Sequence, residues 1–277
     1  VLAQTNAQRH STALSKLTRL IIGLILATLV GCATSPTGRT QFILISPDAA
    51  IIESETAYLD TVRQLEDDDK LVNDPLSVAR VARITGRLVS IAIADYPESA
   101  NWKWSVAIVD DVETVNAWCM AGGRMAVYTG LFDELELTDD EFAQIMGHEI
   151  SHALANHTAE QMSRAMATAA GVAVIGAASD NSGTAMTGAA LIANVALTLP
   201  NSRDAENEAD IMGMVLATKA GYDPEAAVTL WQKMGDLSDD RPAEFLSTHP
   251  APENRQAALN AMIPHMLKIN PSRDKAP

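Results

Sequence analysis

The chain has 277 residues, 35 acidic against 20 basic, and a formal net charge of −15; it is 47% hydrophobic but only 4% aromatic. Its acid-rich surface disfavours nucleic acid and anionic lipid as direct partners. With few rings, the core has to be built mainly from Ala, Val, Leu, Ile and Met.

Residues 1–31 read as an address rather than as part of the fold. Arg9, Lys16 and Arg19, with no acid among them, lead into an apolar run over 20–30. That run is short for a membrane span but suits a signal-peptide core. Leu29-Val30-Gly31-Cys32 looks like a bacterial lipobox, in which Cys32 is lipidated and begins the mature chain. Acylation of Cys32 leaves Cys119 alone, so no internal disulfide is expected. Ala33 at the following position resembles sorting to the outer membrane.

Residues 32–45 read as the lipidated cysteine with a tether and docking strand. Residues 46–270 read as one domain, and 271–277 as a tail. Ser46-Pro47-Asp48 starts a helix running to about 64, and Asp74-Pro75 starts a second reaching about 94. Residues 102–108 alternate as a strand. Two more strands, 116–120 and 124–129, flank Gly122-Gly123, a hairpin signal.

The next helix carries the most informative stretch. Thr138 and Glu141 form a capping box, and Phe142, Ile145, Met146, Glu149, Ile150, Ala153 and Leu154 recur at helical spacing. Within it lies His148-Glu149-Ile150-Ser151-His152, of the form H-E-x-x-H. Positions four apart share a helix face, so both imidazoles can reach one metal, and Glu149 beside them can hold a water. That pattern points to a zinc hydrolase.

Residues 166–178 and 185–199 are apolar and alanine-rich, split by a polar turn at 179–183. Each is shorter than the roughly 18–20 residues of a membrane span, so close-packed helices are expected. A helix over 203–220 ends at Gly221, Asp223-Pro224 opens another to about 234, and a last helix covers about 252–267. No internal repeat is evident.

Two histidines leave a catalytic zinc one protein ligand short. A third histidine six residues after His152, with glycine at 155, is excluded by Thr158 and Ala155. His157 reads as a hydrogen-bonding residue on the same helix, off the ligand face. Glu206-Asn207-Glu208-Ala209-Asp210 opens a second helix whose acid can complete the set. Glu206 and Asp210 share a face, one to bind metal and the other to orient an imidazole. Glu208 reads as solvent-facing, although spacing leaves both glutamates open as the ligand.

HEISH, then ENEAD with Gly213 soon after, then Ser247-Thr248-His249-Pro250, resembles the zinc metallopeptidase family of HtpX, the Oma-type peptidases, the CAAX prenyl proteases and the BepA-like proteins. NAWCMAGGRMAVYTGLF and AGYDPEAA match as well, and the likeness covers most of 40–265. It looks most like a compact lipoprotein branch. Trp118-Cys119 departs from the family pattern and bears on pocket shape rather than on metal chemistry.

The resemblance implies an α+β, mostly α, zincin-like fold with a small mixed or antiparallel sheet beside the HExxH helix. It selects Glu206 as third ligand to one zinc ion, with Asp210 behind the ligands and Glu149 as general base. It also places His249 near the metal, as a donor to the developing oxyanion or as a resting occupant of the open position. Substrate is expected as an added strand along 116–120, with Asn116 binding its main chain. Arg255 is expected to contact substrate or to position the segment of His249. The implied role is endopeptidase cleavage of unfolded or misassembled envelope proteins, by an enzyme lipid-anchored at the periplasmic face. Nothing in the chain fixes an oligomeric state. Two other readings are a lipid-anchored, metal-binding chaperone that rarely cleaves, and a deformylase-like amidase using Cys119 as ligand.

Overall fold

The computed structural model describes residues 32–178, 200–237, 244–250 and 254–277. The leader over 1–31, the apolar arm over 185–199 and most of the polar loop over 235–241 lie outside the described residues. The described part is an α+β, mostly helical, zincin-like fold.

The entry segment forms a small antiparallel hairpin, β1 (Cys32–Thr34) with β2 (Thr40–Phe42). Helices α1 (Pro47–Asp67) and α2 (Pro75–Asp95) follow, capped by Ser46 and Asp74, each with proline in its first turn. Helix α1 runs on to Asp67, into the polar stretch expected to end it. A 3-10 turn over Pro97–Asn101 precedes β3 (Ser105–Val109), so this strand starts later than its alternation suggests.

Strand β3 pairs in parallel with β5 (Arg124–Tyr128), and β5 pairs antiparallel with β4 (Ala117–Met120). The sheet is therefore mixed, in the order β3-β5-β4, with β4 on an edge. Gly122 and Gly123 make the β4–β5 turn at φ +82° and +79°, in the left-handed region open to glycine.

Helix α3 (Gly130–Leu135) leads to α4 (Asp139–Leu154), which carries the HEISH motif. Its capping box is formed: Thr138 Oγ1 accepts from the Glu141 amide, and Glu141 Oε2 accepts from the Thr138 amide. Glu141 also binds Thr229 and Lys233, at 2.8 Å each, tying this end to α7 (Ala226–Asp236). Every residue from Glu141 to Leu154 is buried, enclosed by α2, β4, α6 (Arg203–Lys219) and α7.

Helices α4 and α6 touch backbone to backbone at Gly147 and Gly213. A Cβ on Gly213 would lie 2.6 Å from the His148 amide nitrogen, and one on Gly147 would lie 2.8 Å from the Gly213 carbonyl oxygen. This closeness brings the acids of α6 against the histidines of α4. Gly213→Ala is expected to cost about 3 kcal/mol, at the upper end of overpacking effects. Gly86→Ala, in α2 with open space around it, should cost nothing or stabilise slightly. Urea denaturation of both variants checks the contrast; equal midpoints would exclude the close-contact account.

Residues 32–45 pack onto the domain, with Gln41 buried and donating to Ala155 O at 2.7 Å. Residues 271–277 fold back, the Ala276 amide donating to Ala220 O at 3.1 Å. Helix α5 (His157–Ala178) includes the first apolar arm. Among the described residues, no helix is long and apolar enough to cross a membrane.

Candidate metal centre

His148 and His152 stand one turn apart on α4 and point their Nε2 atoms at each other, 3.0 Å apart. Glu206, in the first turn of α6 and fully buried, faces both: Oε2 is 3.4 Å from His148 Nε2 and Oε1 is 3.4 Å from His152 Nε2. His249 ends the short helix α8 (Glu244–Thr248) and completes the group. Its Nδ1 is 3.2 Å from His148 Nε2 and 3.0 Å from Glu206 Oε1. One ligating atom from each of the four residues lies within 4.8 Å of the others.

The outer partners decide which ring nitrogens carry protons. His148 Nδ1 sits 3.0 Å from Asp210 Oδ1, which can only accept, so the proton is on Nδ1 and the Nε2 lone pair points inward. His152 Nδ1 lies 2.7 Å from His157 Nδ1, while His157 Nε2 lies 3.0 Å from Glu208 Oε2. A neutral His157 spends its proton on Glu208 and accepts from His152 Nδ1–H. The Nε2 lone pair of His152 therefore points inward as well.

Two imidazole lone pairs and a buried carboxylate cannot converge without a cation. Two nitrogens bound to one tetrahedral zinc at ~2.0–2.1 Å lie roughly 3.3 Å apart, close to the spacing here. The residues fit zinc in type and in spacing. The same surroundings favour positive charge on His148. Burial lowers that imidazole's pKa, but hydrogen bonds to Asp210 and Glu206 and their charges outweigh it, raising the pKa to about 9. Glu206 feels burial too, yet its three histidine partners hold its carboxyl far below the ordinary range.

Glu149 lies beside this group. Burial raises its carboxyl pKa, as a proton acceptor working near neutrality requires. Its Oε1 has no hydrogen-bond partner and lies 3.4 Å from His249 Nε2. A cleft opens here, lined by Asn116, Trp118, Cys119 and Met120 along the edge strand, with Glu149, His152, Asn201 and His249 opposite. Asn116 Oδ1 is buried in it without a partner.

Three expectations need correcting. Arg255 does not line the cleft: it is 4% exposed, binds Asp210 at 2.7 and 2.6 Å and Glu206 at 3.2 Å, and stacks 3.5 Å over Trp231. It therefore fixes the acids of α6. Glu208 is 3% exposed rather than solvent-facing, because Thr37, Arg39 and His157 surround it. His157 begins a new helix, since Asn156, at φ +58°, closes the preceding one. Asparagine there was a readable helix-end signal.

The Cys119 thiol stands outside the four-residue group. Burial raises its pKa well above the ordinary thiol value, and its Sγ faces Met120 O at 3.5 Å. The amidase reading therefore lacks its ligand. Asn201, which spacing did not suggest, joins the cleft with its Nδ2 3.5 Å from His249 Nδ1 and its Oδ1 accepting from Gln161 at 2.7 Å.

The profile of peptidase family M48 matches residues 75–263. The Arabidopsis thaliana mitochondrial metalloendopeptidase OMA1 is 36% identical over 158 residues, 56% of this chain and 31% of that protein. Its Saccharomyces cerevisiae counterpart is 27% identical over 253 residues, 85% of this chain and 70% of that protein. The Escherichia coli β-barrel assembly-enhancing protease is 30% identical over 205 residues, 71% of this chain and 41% of that protein. The chain thus spans under half the length of two of these three relatives. With the family match covering most of the fold and a zinc-type donor set at its centre, the chain belongs to peptidase family M48, the zinc-dependent metallopeptidases.

Proposed function

We propose that the protein is a zinc metalloendopeptidase that cleaves unfolded or misassembled proteins. The observation carrying this reading is the unpartnered Glu149 oxygen between the four-donor group and the open edge of β4. His148, His152 and Glu206 would hold the ion, which when bound would supply Lewis-acid chemistry to a peptide carbonyl and to water. Asp210 and Arg255 support the ligands from behind.

Glu149 takes the proton of the attacking water and hands it to the leaving amine. The free edge of β4 and Asn116 Oδ1 offer main-chain partners to an extended peptide, as in β-strand addition. Main-chain recognition favours unfolded chains, because a folded protein has already paired its backbone. The expected result is chelator-sensitive cleavage of an unfolded protein, restored by zinc, with the folded form of the same protein uncut. Equal cleavage of both forms would rule out the substrate class.

His249 Nδ1 sits among the donors in the described state, the position from which it closes the site. When α8 moves away, the position opens to water and substrate. His249→Ala is expected to raise basal cleavage of a short unstructured peptide on the order of tenfold, as for a site closed about nine-tenths of the time. A variant that only loses activity leaves His249 as a helper and excludes the resting block.

Cys32 as a lipid anchor, and the cell envelope as the compartment, complete the proposal. The lipobox-like LVGC supports the first, and the name of the Escherichia coli relative supports a role beside β-barrel assembly.

A further inference from the structure

The support behind His152 differs in construction from that behind His148. A carboxylate, Asp210, meets the His148 ring directly. His152 meets a second imidazole instead, and the carboxylate stands one residue further back: His152 Nδ1, His157 Nδ1, His157 Nε2, Glu208 Oε2. Glu208 is in turn held from the entry hairpin, where Arg39 Nε donates to Oε2 at 2.8 Å and Thr37 Oγ1 donates to Oε1. The same guanidinium binds Glu160, one turn along α5 from His157, at 2.7 and 3.2 Å. The entry hairpin, the α4–α5 junction and α6, far apart in sequence, thus meet in one largely buried network.

We propose that His157 and Glu208 are positioning residues that orient His152 toward the metal, and that the Cys32–Phe42 hairpin secures them through Arg39. The proposal rests on His152 being a zinc ligand.

Neutral His157 has one proton and two neighbours. Glu208 can only accept, so it claims that proton, and the remaining lone pair can only take the proton of His152 Nδ1. The order of donors is fixed from the far end, and the last link leaves the His152 Nε2 lone pair facing the ion. With Arg39 undocked, Glu208 loses its clamp, and the His152 ring is free to rotate or to carry its proton on the wrong nitrogen. The hairpin begins at the candidate lipid-bearing Cys32, so attachment at that residue and metal affinity share one structural element.

The test measures zinc dissociation constants of the full chain by chelator competition, together with the visible absorption of the cobalt-loaded protein. Thermal melts show which variants are folded. His157→Phe, which can neither accept nor donate, should weaken zinc binding 10–100-fold, the usual effect of losing an outer-shell partner, and should shift the cobalt bands. In His157→Gln the amide oxygen can accept from His152 while the amide nitrogen donates to Glu208, so affinity should recover to within about threefold of wild type. Arg39→Met should weaken zinc severalfold with the metal-free fold intact.

A His157→Phe protein that binds zinc within twofold of wild type, with unchanged cobalt bands, overturns the proposal. If that variant does not fold, His157→Gln and Arg39→Met decide. A tenfold loss in the first, or no loss in the second, overturns it. His152→Ala separates the two levels, because full zinc binding by that protein would remove the ligand assignment itself rather than the network behind it.

Discussion

Glu149→Gln is expected to lower the turnover of an unfolded protein substrate by about 10³-fold while zinc stays at one ion per chain. The range for removing a positioned acid–base group is roughly 10²–10⁴. This site belongs in its middle, since among the described residues no other carboxylate lines the cleft. Glutamine keeps the volume of the side chain, which is 2% exposed and packed beneath β4, so the fold should tolerate it. Glu149 is not one of the four converging donors, so metal content should not change. Metal analysis alongside cleavage kinetics checks both halves. Cleavage within tenfold of wild type would remove Glu149 from the chemistry. A zinc-replete, inactive variant that fully complements a deletion would instead favour the chaperone reading over proteolysis.

Glu206→Gln should abolish cleavage by a different route, through loss of the metal. The carboxylate is the one formal negative charge among the four donors, and it sits between three imidazoles and the Arg255 guanidinium. An amide puts a neutral, weaker ligand in its place and leaves a buried cation beside the site with only Asp210 to balance it. Zinc affinity should fall by more than the ~100-fold that an outer-shell loss costs. Glu208→Gln is the control. Its side chain reaches the metal group only through His157, so its loss in affinity should be the smaller one. The reverse ranking, measured by chelator competition, would exchange the roles of the two glutamates.

What the sequence made legible is the part whose signals are local. The capping box at Thr138 and Glu141, the H-E-x-x-H spacing, the caps at Ser46 and Asp74, and the Gly122-Gly123 turn each depend on residues a few positions apart. Spacing on a helix also placed Glu206 and Asp210 on one face. Glu208 was misread for the same reason: nothing within ten residues of it shows that Arg39 lies opposite. Arg255 read as a substrate-contacting or positioning residue without its partners in view, because Asp210 and Trp231 come from other helices. The parallel pairing of β3 with β5 likewise joins segments whose connection, not their composition, decides direction. A surface polar residue and a buried, paired one look alike until tertiary contacts are known.

The enclosure of α4 on every side has a consequence for how the site works in time. A helix with no exposed residue between Glu141 and Leu154 can release its amides to solvent only when the layers around it separate, so its exchange should follow global opening rather than local fraying. His148, Glu149 and His152 are thus expected on one of the slowest-exchanging helices among the described residues. Adjustment to different peptides falls to the elements facing them, the edge strand β4 and the short helix bearing His249. One rigid wall and one yielding wall let a single fixed geometry of attack serve many sequences, because the substrate is fitted by the side that bears none of His148, His152 and Glu206.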